Sequence, residues 1–231
     1  MSRLALIGYG KMGKLVEQLA PEQGLEVALR LDSRSAPDAG SFEGIDVAID
    51  FSTASAVPAT VERLAPLGVP LVVGTTGWHE ALPRVRETVE RHGAGLLHGA
   101  NFSVGVQVFY RLAEAAARLL AGEADYDAWL YEIHHRHKKD APSGTALRIL
   151  RTMEEAGYGR RIDIASNRVG AVPGTHQVGF DSEADTILLM HSARSRAGFA
   201  RGALRAARWM IGRRGFYEFG EVWEELAGQE S

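Results

Sequence analysis

The chain has 231 residues, 45% of them hydrophobic, and its 26 Lys and Arg against 29 Asp and Glu give a formal net charge of −3. That length holds one large or two modest domains with a sizeable core, and near-balanced, interspersed charge gives no electrostatic case for a nucleic-acid partner. Cysteine is absent, which excludes disulfides and thiol catalysis; no apolar run approaches the roughly 20 residues of a membrane span and no cleavable apolar leader precedes the first strand, so a cytoplasmic protein is expected.

The chain opens on the apolar run Leu4-Ala5-Leu6-Ile7, a glycine turn, and then Leu15, Val16 and Leu19 at helical spacing. The turn reads Gly8-Tyr9-Gly10-Lys11-Met12-Gly13. This G-x-G-x-x-G spacing supplies a tight bend, a bare backbone for a pyrophosphate and close packing of helix on strand. Glycine turns between strands and helices are common, so context has to decide. A second apolar run over 25–31 ends at Asp32, where an acid would accept hydrogen bonds from the adenosine ribose. The candidate cofactor residues are therefore Gly8 to Gly13 with Asp32, and the expected ligand is a dinucleotide.

A Ser/Pro/Gly-rich connection runs to about Gly44, followed by a strand over 47–51 and a helical stretch over 54–67. Residues 70–73 read as a strand broken by Gly74-Thr75-Thr76-Gly77; a helix over 80–92 and a short strand at 95–97 follow. Such β/α alternation predicts a Rossmann-like, doubly wound parallel sheet with ligand loops at the carboxyl ends of its strands. Three loops qualify: 8–13, 74–77 and Gly99-Ala100-Asn101-Phe102. For the latter two, ordinary turn chemistry is the competing explanation.

From about residue 104 the rhythm changes. A long helical segment carries Val108, Leu112, Ala116 and Leu119, and an aromatic, β-branched strand over 126–134 ends at His134. There follows His135-Arg136-His137-Lys138-Lys139-Asp140-Ala141-Pro142-Ser143-Gly144-Thr145, with Ser143 as the N-cap of a helix over 144–156. A helix start offers unpaired N–H groups and a positive dipole end, so the Gly144 and Thr145 amides with the Ser143 and Thr145 hydroxyls make a carboxylate pocket. The bland alternative is a solvated basic loop. A metal is disfavoured because Lys138 and Lys139 would repel it and no His-Glu-x-x-His pair is present. Anion binding suits these charges.

Residues 161–168, a glycine loop over 170–175, and two runs at 176–180 and 186–193, the last pair a hairpin, complete an open sheet with helices on one side. Its uncovered face has to be buried, and another subunit is the expected cover. A helix over 199–211 and aromatics over 216–226 close the chain; those Trp and Phe residues suit packing better than cofactor contact.

Taken together, these segments resemble the 4-hydroxy-tetrahydrodipicolinate reductase (dihydrodipicolinate reductase) family essentially end to end. The likeness rests on the 8–13 turn, Ile49-Asp50-Phe51-Ser52-Thr53, Gly74-Thr75-Thr76-Gly77, and Ala100-Asn101-Phe102-Ser103-Val104-Gly105-Val106. The most specific match is the 132–146 segment, joined by Pro173-Gly174-Thr175-His176 and Ser195-Arg196-x-x-Phe199-Ala200-x-Gly202-Ala203-Leu204. The resemblance implies that Gly8 to Gly13 hold the pyrophosphate, Asp32 the adenosine ribose, and Gly74, Thr75, Thr76 and Gly99 to Phe102 the nicotinamide half. It implies His134 as proton donor, His135 as a substrate contact, Lys138 as the cation on one substrate carboxylate and a second acid, and Ser143, Gly144 and Thr145 around the other. It further implies a cofactor domain of 1–103 with 204–231, an α+β substrate-binding and oligomerisation domain of 104–203 with an open mixed sheet, and a homotetramer.

One departure bears on the cofactor. Many relatives carry an arginine directly after the strand-end acid, whereas here Ser33 follows Asp32 and Arg34 comes one later. Lys11 or Arg34 can reach a 2′-phosphate, but Asp32 repels it, so NADH and NADPH are both expected to work, with NADH at least competitive. The competing functions are another Rossmann oxidoreductase acting on a small dicarboxylic imine or carbonyl, and a non-catalytic NAD(P)H-sensing regulator.

Overall fold

The structure is a computed structural model describing residues 1–35 and 38–228. Residues 36 and 37 of the predicted connection and residues 229–231 of the predicted tail lie outside the described residues. Its strands are β1 (Ser2–Ile7), β2 (Leu25–Leu31), β3 (Val47–Asp50), β4 (Leu71–Val73), β5 (Gly95–His98), β6 (Asp127–His134), β7 (Ile162–Arg168), β8 (Thr175–Asp181), β9 (Thr186–Ser192) and β10 (Gly215–Glu218). The α-helices are α1 (Lys11–Leu19), α2 (Val57–Leu64), α3 (Leu82–Arg91), α4 (Val104–Leu120), α5 (Gly144–Glu155), α6 (Ala197–Met210) and α7 (Trp223–Gly228). The chain divides into one unit of Met1–Ser103 with Phe199–Ser231 and a second of Val104–Gly198.

The first unit resumes at Phe199, near the start of α6 and upstream of the 203/204 boundary expected from the sequence. Ala200, Gly202, Ala203 and Leu204 are all buried in the first unit. A Cβ at Gly202 would lie 1.7 Å from the Phe102 carbonyl oxygen, so this turn of helix is pressed onto the 99–103 backbone.

In the first unit six strands run parallel in the order β10-β5-β4-β3-β1-β2. Leu4, Leu6, Val47, Ile49, Val72, Leu96 and Leu97 are essentially inaccessible, as strands covered on both faces require. Each such side chain contributes about 1.5–3 kcal/mol of burial free energy. The neighbours of β1 are β2 and β3, so connections diverge at its carboxyl end and open the crevice where ligands bind such sheets. Helix α2 is shorter than the 54–67 pattern because Pro66 lacks the N–H needed to extend it, and residues 65–67 tighten into a 3-10 turn. Strand β10 was not read from the sequence: four residues long, it is defined by parallel pairing with β5, and Phe216 packs 5.1 Å from the His98 ring.

In the second unit the sheet order is β7-β6-β8-β9, with β7 parallel to β6 and the other pairs antiparallel. Helices α4 and α5 cover one face, where Phe109, Ala113, Ala128, Leu130, Ile149, Met153, Val178 and Phe180 form the core. The opposite face carries Trp129, Tyr131 and Ile133 of β6, with Trp129 lying over Gly179, and β9 leaves Leu188 52% and Met190 61% exposed.

Candidate functional site

The first set of candidate residues surrounds the carboxyl ends of β1, β3, β4 and β5. Gly8 has φ +90°, and a Cβ there would lie 2.3 Å from the Phe51 carbonyl oxygen, so this turn accepts no side chain. Gly10 precedes α1 with open space around it and no side chain capping the helix, which leaves the first-turn N–H groups for an anion. These features fit a dinucleotide pyrophosphate. Met12 joins Phe51, Ser52, Ala54, Gly74, Thr75 and Thr76 around an open depression of about 240 Å³. Thr76 is exposed there, whereas the buried Thr75 donates its hydroxyl to Asp50 Oδ1 at 2.8 Å and supports the loop from behind. Tyr9 pairs through its hydroxyl with Glu17, which also holds Arg30.

At the end of β2, Asp32 accepts from the Arg34 backbone N–H at 2.9 Å and from the Arg34 guanidinium at 3.0 Å, with the Ser35 hydroxyl at 3.1 Å. Those bonds, the Arg34 amide first, hold its carboxyl below the usual range. Ser33 and Arg34 are exposed. On the 99–103 loop Ala100 is exposed and Asn101 accepts from the Ser103 N–H at 2.9 Å. Phe102 differs from the sequence expectation: its ring is buried 4.6 Å from Phe219, so only its backbone can face a ligand. Gly99 is likewise buried against Phe219 and Phe102.

The second set lies in the other unit, at the end of β6. Side chains alternate along a strand, so Glu132 and His134 share the face of Ala128 and Leu130. Register brings His176 of β8 opposite Glu132 and Arg168 of β7 opposite His134. Glu132 is fully buried. Its Oε1 accepts the Ser143 N–H at 3.0 Å and the Arg168 guanidinium at 2.7 Å, while Oε2 lies 3.5 Å from His134 Nδ1 and 3.4 Å from His176 Nε2. Burial pushes this carboxyl up, but hydrogen bonds from Ser143, Arg168 and Ser166 outweigh it and bring the pKa down to about 2. Glu132 is therefore an anion at neutral pH.

His134 is held below its ordinary pKa, mainly by burial; Glu132 and Asp140 work against that, and Lys138 and Arg168 with it. His176, 5% exposed, is brought down to about 4 by burial and by the neighbouring His134. The two rings meet edge to face at 5.1 Å. Gly174 has φ +152°, and a Cβ there would sit 3.0 Å from His134 Nε2, so a side chain at position 174 would crowd that edge of the ring.

Lys138 places Nζ 2.9 Å from both Asp140 carboxylate oxygens, and the turn around it closes through its N–H to the His135 carbonyl at 3.0 Å. His135 is half-buried and Gly144 is exposed with open space around it. Ser143 is the N-cap the sequence predicts, but its hydroxyl does not face an open pocket. It is 2% exposed, its hydroxyl caps the Ala146 N–H at 3.1 Å and lies 3.2 Å from His176 Nε2, and so it supports the site instead of facing solvent. At the head of α5, Gly144 is exposed and Thr145 half-buried, and the Gly144 N–H bears on the Asp140 carboxylate beside it.

Glu132, Arg168 and His176 were missed as functional residues. Position 132 was findable, since two residues before a strand-end histidine shares its face; the others depend on register. Glu132, His134 and His176 bring one ligand atom each within 4.8 Å of the others. The guanidinium on the same carboxylate already balances its charge, so the set reads as a hydrogen-bonded network, not a cation site.

Residues 2–102 match the family model described as dihydrodipicolinate reductase, N-terminus, and residues 105–223 match dihydrodipicolinate reductase, C-terminus. The chain is 35% identical over 235 residues to 4-hydroxy-tetrahydrodipicolinate reductase of Christiangramia forsetii, covering 96% of this chain and 98% of that one. It is 38% identical over 256 residues to the protein of the same name from Methanoregula boonei, covering 96% and 98%. Among solved structures, dipicolinate-bound dihydrodipicolinate reductase from Paenisporosarcina sp. TG-14 shares the fold with TM-score 0.81 at 23% identity, over 96% of this chain and 99% of that one.

Proposed function

The chain belongs to the dihydrodipicolinate reductase family, and on that premise we infer how its residues carry out the family's reaction. It is an NAD(P)H-dependent oxidoreductase that reduces 4-hydroxy-tetrahydrodipicolinate in diaminopimelate and lysine biosynthesis. A different Rossmann oxidoreductase and a non-catalytic NAD(P)H sensor are not favoured, because both family models and the named relatives carry this one activity.

The observation that carries the reading of the site is the end of β6, where a buried imidazole with Nε2 beside the side-chain-free Gly174 is followed by a lysine turn and the exposed Gly144 at the start of α5. NAD(P)H, when bound on the first unit, supplies the hydride. That addition leaves negative charge on the neighbouring ring carbon of the substrate, and His134 protonates it. Lys138 exchanges its Asp140 partner for one substrate carboxylate, His135 adds a contact, and the Gly144 and Thr145 amides take the other. The free enzyme keeps His134 largely neutral through burial and nearby cations. An arriving dianion offsets those cations and raises the imidazole's proton affinity, so substrate binding primes the acid.

Gly8 to Gly13 hold the pyrophosphate, Asp32 the adenosine ribose hydroxyls, and the 74–76 and 99–102 loops the nicotinamide half. Arg34 is engaged by Asp32, so accepting a 2′-phosphate requires that pair to open, and NADH is at least as good a cofactor as NADPH. The exposed apolar face of the second sheet is covered by other copies of the chain in a homotetramer, in the cytoplasm. The test is steady-state reduction of enzymatically generated substrate with NADH and NADPH in parallel, for wild type, His134→Gln and Lys138→Ala. His134→Gln lowers turnover, and Lys138→Ala lowers turnover and raises KM. Equal rates in all three proteins would contradict the assigned roles.

A further inference from the structure

We propose that Glu132, with His176 beside it, is the positioning residue of the proton transfer: its Oε2 holds His134 with a hydrogen on Nδ1 facing inward, so that Nε2 is the nitrogen that delivers the proton. This rests on His134 being the donor. Glu132 Oε1 is already taken by the Ser143 N–H at 3.0 Å and by Arg168 at 2.7 Å. Its Oε2 faces both histidines, at 3.5 Å and 3.4 Å, and the Ser166 hydroxyl of β7 also bears on this carboxylate. Both Oε2 and His134 Nδ1 are buried without a closer partner. Two lone pairs pressed together away from water would be costly, so a hydrogen belongs between them. Such contacts are long before substrate arrives and tighten as positive charge grows on the ring. On the opposite edge of the ring, Nε2 lies beside the side-chain-free position 174.

His176 completes the arrangement. Its Nε2 lies 3.2 Å from the Ser143 hydroxyl, which is the acceptor for the Ala146 N–H, and 3.4 Å from Glu132 Oε2. Burial keeps this ring neutral, so it donates to the carboxylate without competing for the catalytic proton. The charged and titratable groups around His134 are Glu132 on its own strand, Arg168 on β7, His176 on β8, and Lys138 and Asp140 in the following loop. Among them Glu132 is the anion at Nδ1, while Asp140 is paired with Lys138. In the transfer the Nε2–H bond breaks, a C–H bond forms beside the carbon that accepts the hydride, and His134 is left neutral with its remaining hydrogen on Nδ1.

The test combines a tautomer measurement with kinetics. The ¹⁵N shifts of His134 in the wild-type protein, at a pH where it is neutral, should place the hydrogen on Nδ1. In Glu132→Gln the amide donates to Nδ1, so the hydrogen moves to Nε2, kcat falls about 10²-fold, and the alkaline limb of kcat shifts to lower pH. The NADH dissociation constant is unchanged, and adding Glu132→Gln to His134→Gln costs nothing more. A wild-type hydrogen on Nε2, or a Glu132→Gln enzyme with wild-type kcat and an unmoved limb, overturns the role of Glu132. Full turnover in His134→Gln overturns the donor reading itself, whereas an impaired His134→Gln beside a fully active Glu132→Gln removes only the positioning role. If Glu132→Gln does not fold, the wild-type tautomer alone decides.

Discussion

The two candidate regions are built from different materials. The cofactor side is made of backbone: glycine at 8 and 10, an uncapped α1 and short loops at strand ends, with polar side chains such as Thr75 and Asp50 supporting from behind. The region around His134 is made of polar and titratable side chains from three strands and one helix start, each held by another. Backbone donors keep one protonation state across neutral pH, which suits a fixed anion. A proton donor has to change state, and its affinity is adjusted by neighbours of both signs.

The widest separation between the regions is expected from His134→Gln, which should lower kcat by about 10²–10⁴-fold while leaving NADH affinity intact by calorimetry. Weakened NADH binding in that variant would mean that the two regions are not separable. The reciprocal change, Gly8→Ala, forces a side chain against the Phe51 carbonyl and should weaken NADH by about tenfold to 10²-fold through strain of order 1–3 kcal/mol. Its binding of pyridine-2,6-dicarboxylate should be preserved.

Titration sharpens the same contrast. With His134 as the proposed proton donor, its acid form is the active one, and its pKa is depressed in the free enzyme, so kcat/KM should fall as pH rises through that depressed value. In the complex the substrate's carboxylates raise the pKa, and kcat therefore holds to higher pH. Coincident limbs for the two parameters would remove the priming step.

A smaller effect is expected at the ribose end. Asp32→Ala removes the repulsive carboxylate and frees Arg34, which should move the NADPH-to-NADH ratio of kcat/KM about tenfold toward NADPH. Smallest in its effect on chemistry is Met190→Asp on the open sheet face, where sedimentation should show a lower assembly state with helix content retained. An unchanged sedimentation coefficient would place the subunit contact elsewhere.

The cofactor region was legible because its signal is contiguous: 8–13, 74–77 and 99–102 each carry their own bend and their own backbone groups, and β/α alternation orders them on one sheet. His134, Lys138 and the Ser143 cap were also legible, lying within a dozen residues of one another. What stayed hidden depends on distance along the chain. Arg168 and His176 reach Glu132 only through the pairing of β6 with β7 and β8, and β10 exists only because β5 offers it an edge. Composition and periodicity determined the β/α alternation, the glycine turn before α1 and the Ser143-capped start of α5, since those follow from local propensity and the side-chain period. Tertiary structure decided that Arg168 and His176 join Glu132, that Ser143 turns inward and that Phe102 packs on Phe219, because burial and charge pairing are set by segments that meet in space and not in sequence.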